Sequence, residues 1–206
     1  MAKTGKTFIL GVLAGISISI GGTVYLLSAD KTVGAVLFSV GLLCVCVFGF
    51  NLFTGKVCYV FDNDAGYARM VPVIWIGNLA GAVCTALLES LTRMGPKLAE
   101  SAAAASQVKL AQTPLSAFIM AVFCNIMIYI AVEGYKTIPH EVGKYLAILF
   151  GVIVFILCGF EHCVANMYYF TMGGVWSWKA VGYLLLMTAG NAVGGVAVPL
   201  LRRVAK

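Results

Sequence analysis

The sequence predicts an all-α membrane protein of six transmembrane helices, built as two inverted three-helix repeats with the second and fifth helices broken. Three observations carry this. Hydrophobic residues make up 61% of the 206 positions and charged residues only 11%, against about 25% charged in an ordinary soluble domain. The apolar residues fall into long runs of span length. Two short motifs recur in the same order in the two halves.

A transmembrane helix needs ~20 predominantly apolar residues. Residues 8–27 carry no charge and form the first span. Lys3 and Lys6 precede that run as they would a signal peptide, but it is longer than a signal core of roughly 7–15 residues. Its glycines Gly11, Gly15, Gly21 and Gly22 suit a packed membrane helix. Residues 70–88, 115–132 and 180–201 supply three more spans of ordinary length. Residues 32–61 and 145–170 are too long for simple spans, and each holds polar or charged groups inside.

The repeat is read from those two long segments and the spans that follow them. Gly49-Phe50-Asn51 is echoed by Gly159-Phe160-Glu161, and Gly77-Asn78-Leu79-Ala80-Gly81 by Gly190-Asn191-Ala192-Val193-Gly194. An odd number of spans per half inverts one half relative to the other, an arrangement common in transport proteins. Repeat one covers 8–88 and repeat two 115–201, within a single transmembrane domain of residues 1–206. In the second segment the interruption is placed at residues 51–56, and in the fifth at residues 159–162. Unwound backbone at membrane depth is tolerated where it is buried in protein or lines a wet cavity. Both interruptions are therefore expected to face one interior. The loop of residues 89–113 is expected to hold a short surface helix before Lys109 and the fourth span.

Lys3, Lys6, Arg69, Lys136, Lys144, Arg202, Arg203 and Lys206 fall on the side of the termini, and Lys31, Arg93, Lys97, Lys109 and Lys179 on the other. The positive-inside bias places both termini in the cytoplasm, the protein being multi-pass in the cell membrane. That rule also accounts for the net charge of +6 without a nucleic-acid partner. The seven cysteines form no CxxC pair and are read as small, buried, reduced side chains. No metal or cofactor is expected.

Glu161 and His162 form the one acid–imidazole pair that lies deep in a span, where an ionisable group calls for a function. A lone histidine there is as often a packing residue bonded to a carbonyl; a neighbouring glutamate on a broken helix tips the balance towards function. Lys109, taken alone, reads as a snorkelling anchor. Thr54, Asn125 and Asn166, taken alone, read as interhelical hydrogen-bonding groups.

Residues 159–167, Gly-Phe-Glu-His-Cys-Val-Ala-Asn-Met, closely resemble the GFEHSxANM signature of the formate/nitrite transporters. Leu52-Phe53-Thr54-Gly55 resembles the LFTG segment of that family, and the resemblance extends over nearly the whole chain. It implies a homopentamer in the lipid bilayer, each protomer holding an aquaporin-like hourglass pore for a small inorganic or organic monovalent anion such as formate, nitrite or hydrosulfide. It implies that His162 is the central pore histidine, approached by Thr54, with Lys109, Asn125 and Asn166 nearby. Glu161 becomes a buried structural acid. Apolar constrictions are implied at Phe38, Leu42 and Phe155 towards the cytoplasm, and at Leu52, Phe53 and Ile128 towards the periplasm.

On this basis Lys109 raises the local anion concentration, and His162 hydrogen-bonds or protonates the anion between the two constrictions. Two departures are visible: Asn51 stands where the family often has an acid, and Lys56 where a neutral residue is usual. The N-terminal amphipathic helix typical of the family is nearly absent. A neutral-solute channel of the aquaporin type shares the repeat but needs two Asn-Pro-Ala turns, which this sequence lacks. A membrane enzyme would need a nucleophile–base pair, metal cluster or phosphate loop, and no such spacing occurs.

Overall fold

The computed structural model describes residues 3–205, which are helical almost throughout. Helices α1 (Lys3–Leu27), α4 (Ala65–Ser90), α6 (Pro114–Thr137) and α9 (Trp178–Val204) are long and apolar enough to cross a membrane. At about 1.5 Å per residue each exceeds the ~30 Å hydrocarbon core. Between α1 and α4 lie α2 (Lys31–Val47) and the short α3 (Phe53–Val57), followed by a 3-10 turn at Val60–Asp62. Between α6 and α9 lie α7 (Glu141–Leu157) and α8 (Cys163–Met172). Helix α5 (Gly95–Ala111) joins the two sets.

Local chemistry starts these helices. Asp30 caps α2 by accepting from the Thr32 and Val33 amides, and Asp64 and Ser177 cap α4 and α9 in the same way. Thr113 caps α6, with Pro114 in its first turn, where a missing N–H does no harm.

The two stops inside the broken segments are also local. Gly49 and Gly159 each adopt a φ of +68°. In both places the next residue folds back on the helix it leaves: the Phe50 amide donates to Val45 O at 3.0 Å, and the Phe160 amide to Phe155 O at 2.9 Å. This is the glycine-terminated helix stop, repeated. A Cβ at Gly49 would meet open space, and one at Gly159 only Met120 Cε at 3.9 Å, so the need for glycine is conformational. Gly159→Ala is expected to cost about 1–2 kcal/mol, whereas Gly182→Ala, in open space on α9, is expected to be neutral or stabilising. Thermal unfolding of the two detergent-solubilised variants checks the contrast.

The breaks themselves sit at residues 48–52 and 158–162. The first is therefore displaced from residues 51–56, because the Thr54-Gly55-Lys56 stretch already belongs to α3. The linking segment also differs from the sequence-based expectation. Helix α5 is more than a surface helix, since Leu98, Ala102 and Ser106 are fully buried. It also contains Lys109 in its last turn, so that lysine is placed by α5 and not by the edge of α6.

Close backbone approach ties the long helices in pairs. Helix α1 packs on α4, and α6 on α9. A Cβ at Gly15 would run into the Asn78 carbonyl, and one at Gly194 into the Val122 carbonyl. All seven cysteines are free thiols, but Cys84 and Cys158 are exposed on the protomer surface, not buried.

Candidate functional site

Two asparagines from the repeated glycine motifs hold the breaks in place. Asn78, fully buried on α4, accepts from the Phe53 amide at 2.8 Å and donates to Gly11 O at 2.8 Å and Asn51 O at 2.9 Å. Asn191, fully buried on α9, accepts from the Cys163 amide at 2.9 Å and donates to Ala121 O at 2.7 Å and Glu161 O at 2.8 Å. Each carboxamide thus serves the first amide of a short helix and a carbonyl of the break before it. Backbone groups at such depth need partners, and these side chains supply them.

The two broken segments meet. Thr54 Oγ1 lies 3.0 Å from His162 Nε2, and both residues are buried. His162 is the N-cap of α8, its Nδ1 accepting from the Ala165 amide at 3.1 Å. An accepting Nδ1 carries no proton, so the neutral ring carries its proton on Nε2 and donates it to Thr54. The ring stacks on Phe155, with centroids 5.6 Å apart and planes at 20°, and Phe38 meets Phe155 edge-on at 5.9 Å. Leu42, Leu52, Phe53 and Ile128 belong to the same buried apolar cluster as Phe38 and Phe155.

One cavity is lined by His162 and a second by Gly55, the residue after Thr54. The larger, about 470 Å³, is lined by His162, Glu161, Lys109, Phe155, Asn166 and Tyr169 among others. The smaller, about 130 Å³, is lined by Leu52, Gly55, Cys46, Lys56, Tyr135 and Lys136 among others. Of the apolar residues expected to constrict a path, Phe155 and Leu52 reach these walls; Phe38, Leu42, Phe53 and Ile128 are not among the residues lining either cavity.

Glu161 is the hub of the larger cavity. Its Oε2 accepts from Lys109 Nζ at 2.8 Å and from Asn166 Nδ2 at 2.8 Å, and its Oε1 accepts from Gln112 Nε2 at 2.7 Å. A carboxylate with three donors is well satisfied. Paired with Glu161, Lys109 presents a dipole to the cavity in place of a free charge.

Asn125 does not join this group. It donates to Asn191 O at 2.6 Å, ties α6 to α9, and is not among the residues lining either cavity. Its Oδ1, Asn166 Oδ1 and the Tyr169 hydroxyl are buried without a protein partner. Gln112, Tyr169, Asn78 and Asn191 are participants that inspection of the sequence did not assign. Gln112 follows Lys109 by one helical turn, a spacing that places the two side chains together but was not used to assign it. Among the described residues no three His, Cys, Asp or Glu side chains gather as a metal site would need.

The formate/nitrite transporter family model matches residues 1–204. A protein of Methanothermobacter thermautotrophicus described as a probable formate transporter is 33% identical over 235 aligned positions, covering 94% of this chain and 86% of the relative. The formate channel FocA of Escherichia coli K12 is 28% identical, covering 92% and 82%. A solved structure described as a pentameric formate channel with formate bound superimposes with a TM-score of 0.80 at 26% identity, covering 100% of this chain and 99% of that one. With several helices long and apolar enough to cross a bilayer and a match over nearly its full length, this chain is a multi-pass membrane protein belonging to the formate/nitrite transporter family.

Proposed function

We propose that the protein is a channel, not an enzyme, that passes small monovalent weak-acid anions of the formate, nitrite and hydrosulfide class along a path joining the two cavities at Thr54 and His162. The observation that carries this is the 3.0 Å contact between those side chains, one from each broken segment, with one cavity lined by His162 and another by Gly55 beside Thr54. Two relatives named for formate support the substrate class. The pore lies in a single domain of residues 1–206, with six crossings in two inverted repeats of 8–88 and 115–201 and an hourglass profile. The paired glycine stops and paired asparagine anchors support that symmetry. The described likeness to a pentameric channel supports a homopentamer.

With both termini in the cytoplasm, the sides expected for the two constrictions exchange. Helix α1 ends at Leu27 and α2 begins at Lys31, so Phe38 lies towards the outer end and Leu52 towards the inner. Tyr25 and Lys109 line the larger cavity, which then faces outward.

An anion entering an apolar bore loses hydration worth several kcal/mol, so fixed donors must replace water. Because the imidazole proton goes to Thr54, the threonine hydroxyl keeps its own proton to offer. His162 and Thr54 then act as one donor unit, with Asn166 and the unpartnered Tyr169 hydroxyl nearby. Protonating the anion from His162 requires a charged ring, which must first release the Ala165 amide. Hydrogen bonding is thus the resting role and proton transfer the activated one.

His162→Phe removes the donor and preserves ring volume. Formate uptake into proteoliposomes is expected to fall roughly 10- to 100-fold, the loss of a hydrogen bond to a charged group. Undiminished uptake would overturn the assignment, and glycerol permeation equal to formate would favour a neutral-solute pore.

A further inference from the structure

The two cavities differ in charge. In the larger one Lys109 is neutralised by Glu161 at 2.8 Å. The smaller one is lined by Lys56 and Lys136. Among the described residues the ion pairs are Lys109–Glu161, Lys144–Glu141, Arg202–Glu133 and Arg203–Asp62, so neither of these two lysines has an acid partner.

The nearby acids are committed elsewhere. Glu133, almost one turn before Lys136 on α6, accepts from Tyr59 Oη at 2.9 Å and pairs with Arg202. Asp64, which shares a separate surface hollow with Lys56, caps α4 by accepting from the Tyr67 amide at 2.8 Å. Lys136 Nζ sits 3.6 Å from the Tyr59 ring centroid, a contact that positions the ammonium without cancelling its charge. Leu52, at the start of the apolar passage, forms part of the same cavity wall. Two like charges on one cavity repel unless an anion lies near them.

We propose that Lys56 and Lys136 form an anion-binding subsite in the smaller cavity, which takes the same small monovalent anions and concentrates them at the entrance to the Leu52 end of the passage. This rests on the pore reading above. It makes the conduction path electrically asymmetric: entry from the lysine face is favoured at low anion concentration, while entry past the Lys109–Glu161 pair gains little.

The test uses single-channel currents in planar bilayers, where each insertion has one orientation, with sodium formate varied on each side in turn. The double change K56Q/K136Q is expected to raise the half-saturating formate concentration about tenfold from the lysine face and to leave the opposite face unchanged. At about 1 M salt, where the screening length is ~3 Å, wild type and variant are expected to converge. K56R/K136R should keep the wild-type asymmetry, and each single glutamine change should give about a threefold effect if the double variant fails to assemble.

Equal loss from both faces, or an unchanged half-saturating concentration, would overturn the subsite. His162→Phe in the same bilayers separates the two claims. If it abolishes the current while K56Q/K136Q behaves as wild type, the subsite alone fails. If His162→Phe conducts normally, the pore reading fails with it.

Discussion

Asn191→Leu is expected to destabilise the protein by roughly 3–6 kcal/mol, enough to prevent recovery of a monodisperse assembly. The size follows from what the carboxamide does. It satisfies the Cys163 amide and the Ala121 and Glu161 carbonyls, all in the interior. Leucine has similar volume but offers no hydrogen bond, so three backbone groups are left unpaired, and each costs about 1–3 kcal/mol when water cannot reach it. Asn191→Asp should fall between, because its carboxylate still accepts from Cys163 but faces two carbonyl oxygens in place of donating to them. Asn78→Leu is the matching change in the first half, with Phe53 N, Gly11 O and Asn51 O left unpaired. Size-exclusion recovery and thermal unfolding after detergent extraction measure the series. Wild-type stability in both leucine variants would show that the breaks are held by other means.

Lys109→Met is expected to be the most damaging change within the larger cavity, at about 3–5 kcal/mol, because it strands a buried carboxylate. The Glu161 side chain is 2% exposed and that of Lys109 16%, so the acid depends on the partnership more than the lysine does. Glu161→Gln should be milder, since the freed ammonium can reach water in the cavity. The double variant Lys109→Met, Glu161→Gln should recover much of the stability lost in the first. Formate flux in that double variant separates two roles. Recovery of flux with stability means that Lys109 serves to hold Glu161. A folded but inactive double variant means that the lysine also acts on the anion.

The large elements were legible because their causes are local. Span length follows from runs of apolar residues, and the helix starts follow from Asp30, Asp64, Thr113 and Ser177 standing just before them. The helix stops follow from Gly49 and Gly159, so the Gly-Phe echo marked the breaks even though the first was placed a few residues late. The displacement arose because Thr54, Gly55 and Lys56 look like breaker residues, while the burial of Phe53, Thr54, Gly55 and Val57 against the neighbouring helices keeps the stretch helical.

By itself, then, the sequence determined the membrane setting, the helical elements, the family and the pairing of a histidine with a broken segment. Tertiary structure alone decided the partnerships. Lys109 reads as a free charge until α5 packs on α8 and brings it to Glu161, 52 residues away. Asn125 and Asn191 are similar residues in similar apolar runs, yet one ties two long helices together and the other anchors a break. The orientation of the His162 ring, and hence which nitrogen meets Thr54, depends on a cap with Ala165 and a contact 108 residues away in the chain. Hydrogen bonds and ion pairs act over about 3 Å, so which groups share one is settled only when packing has brought the helices together.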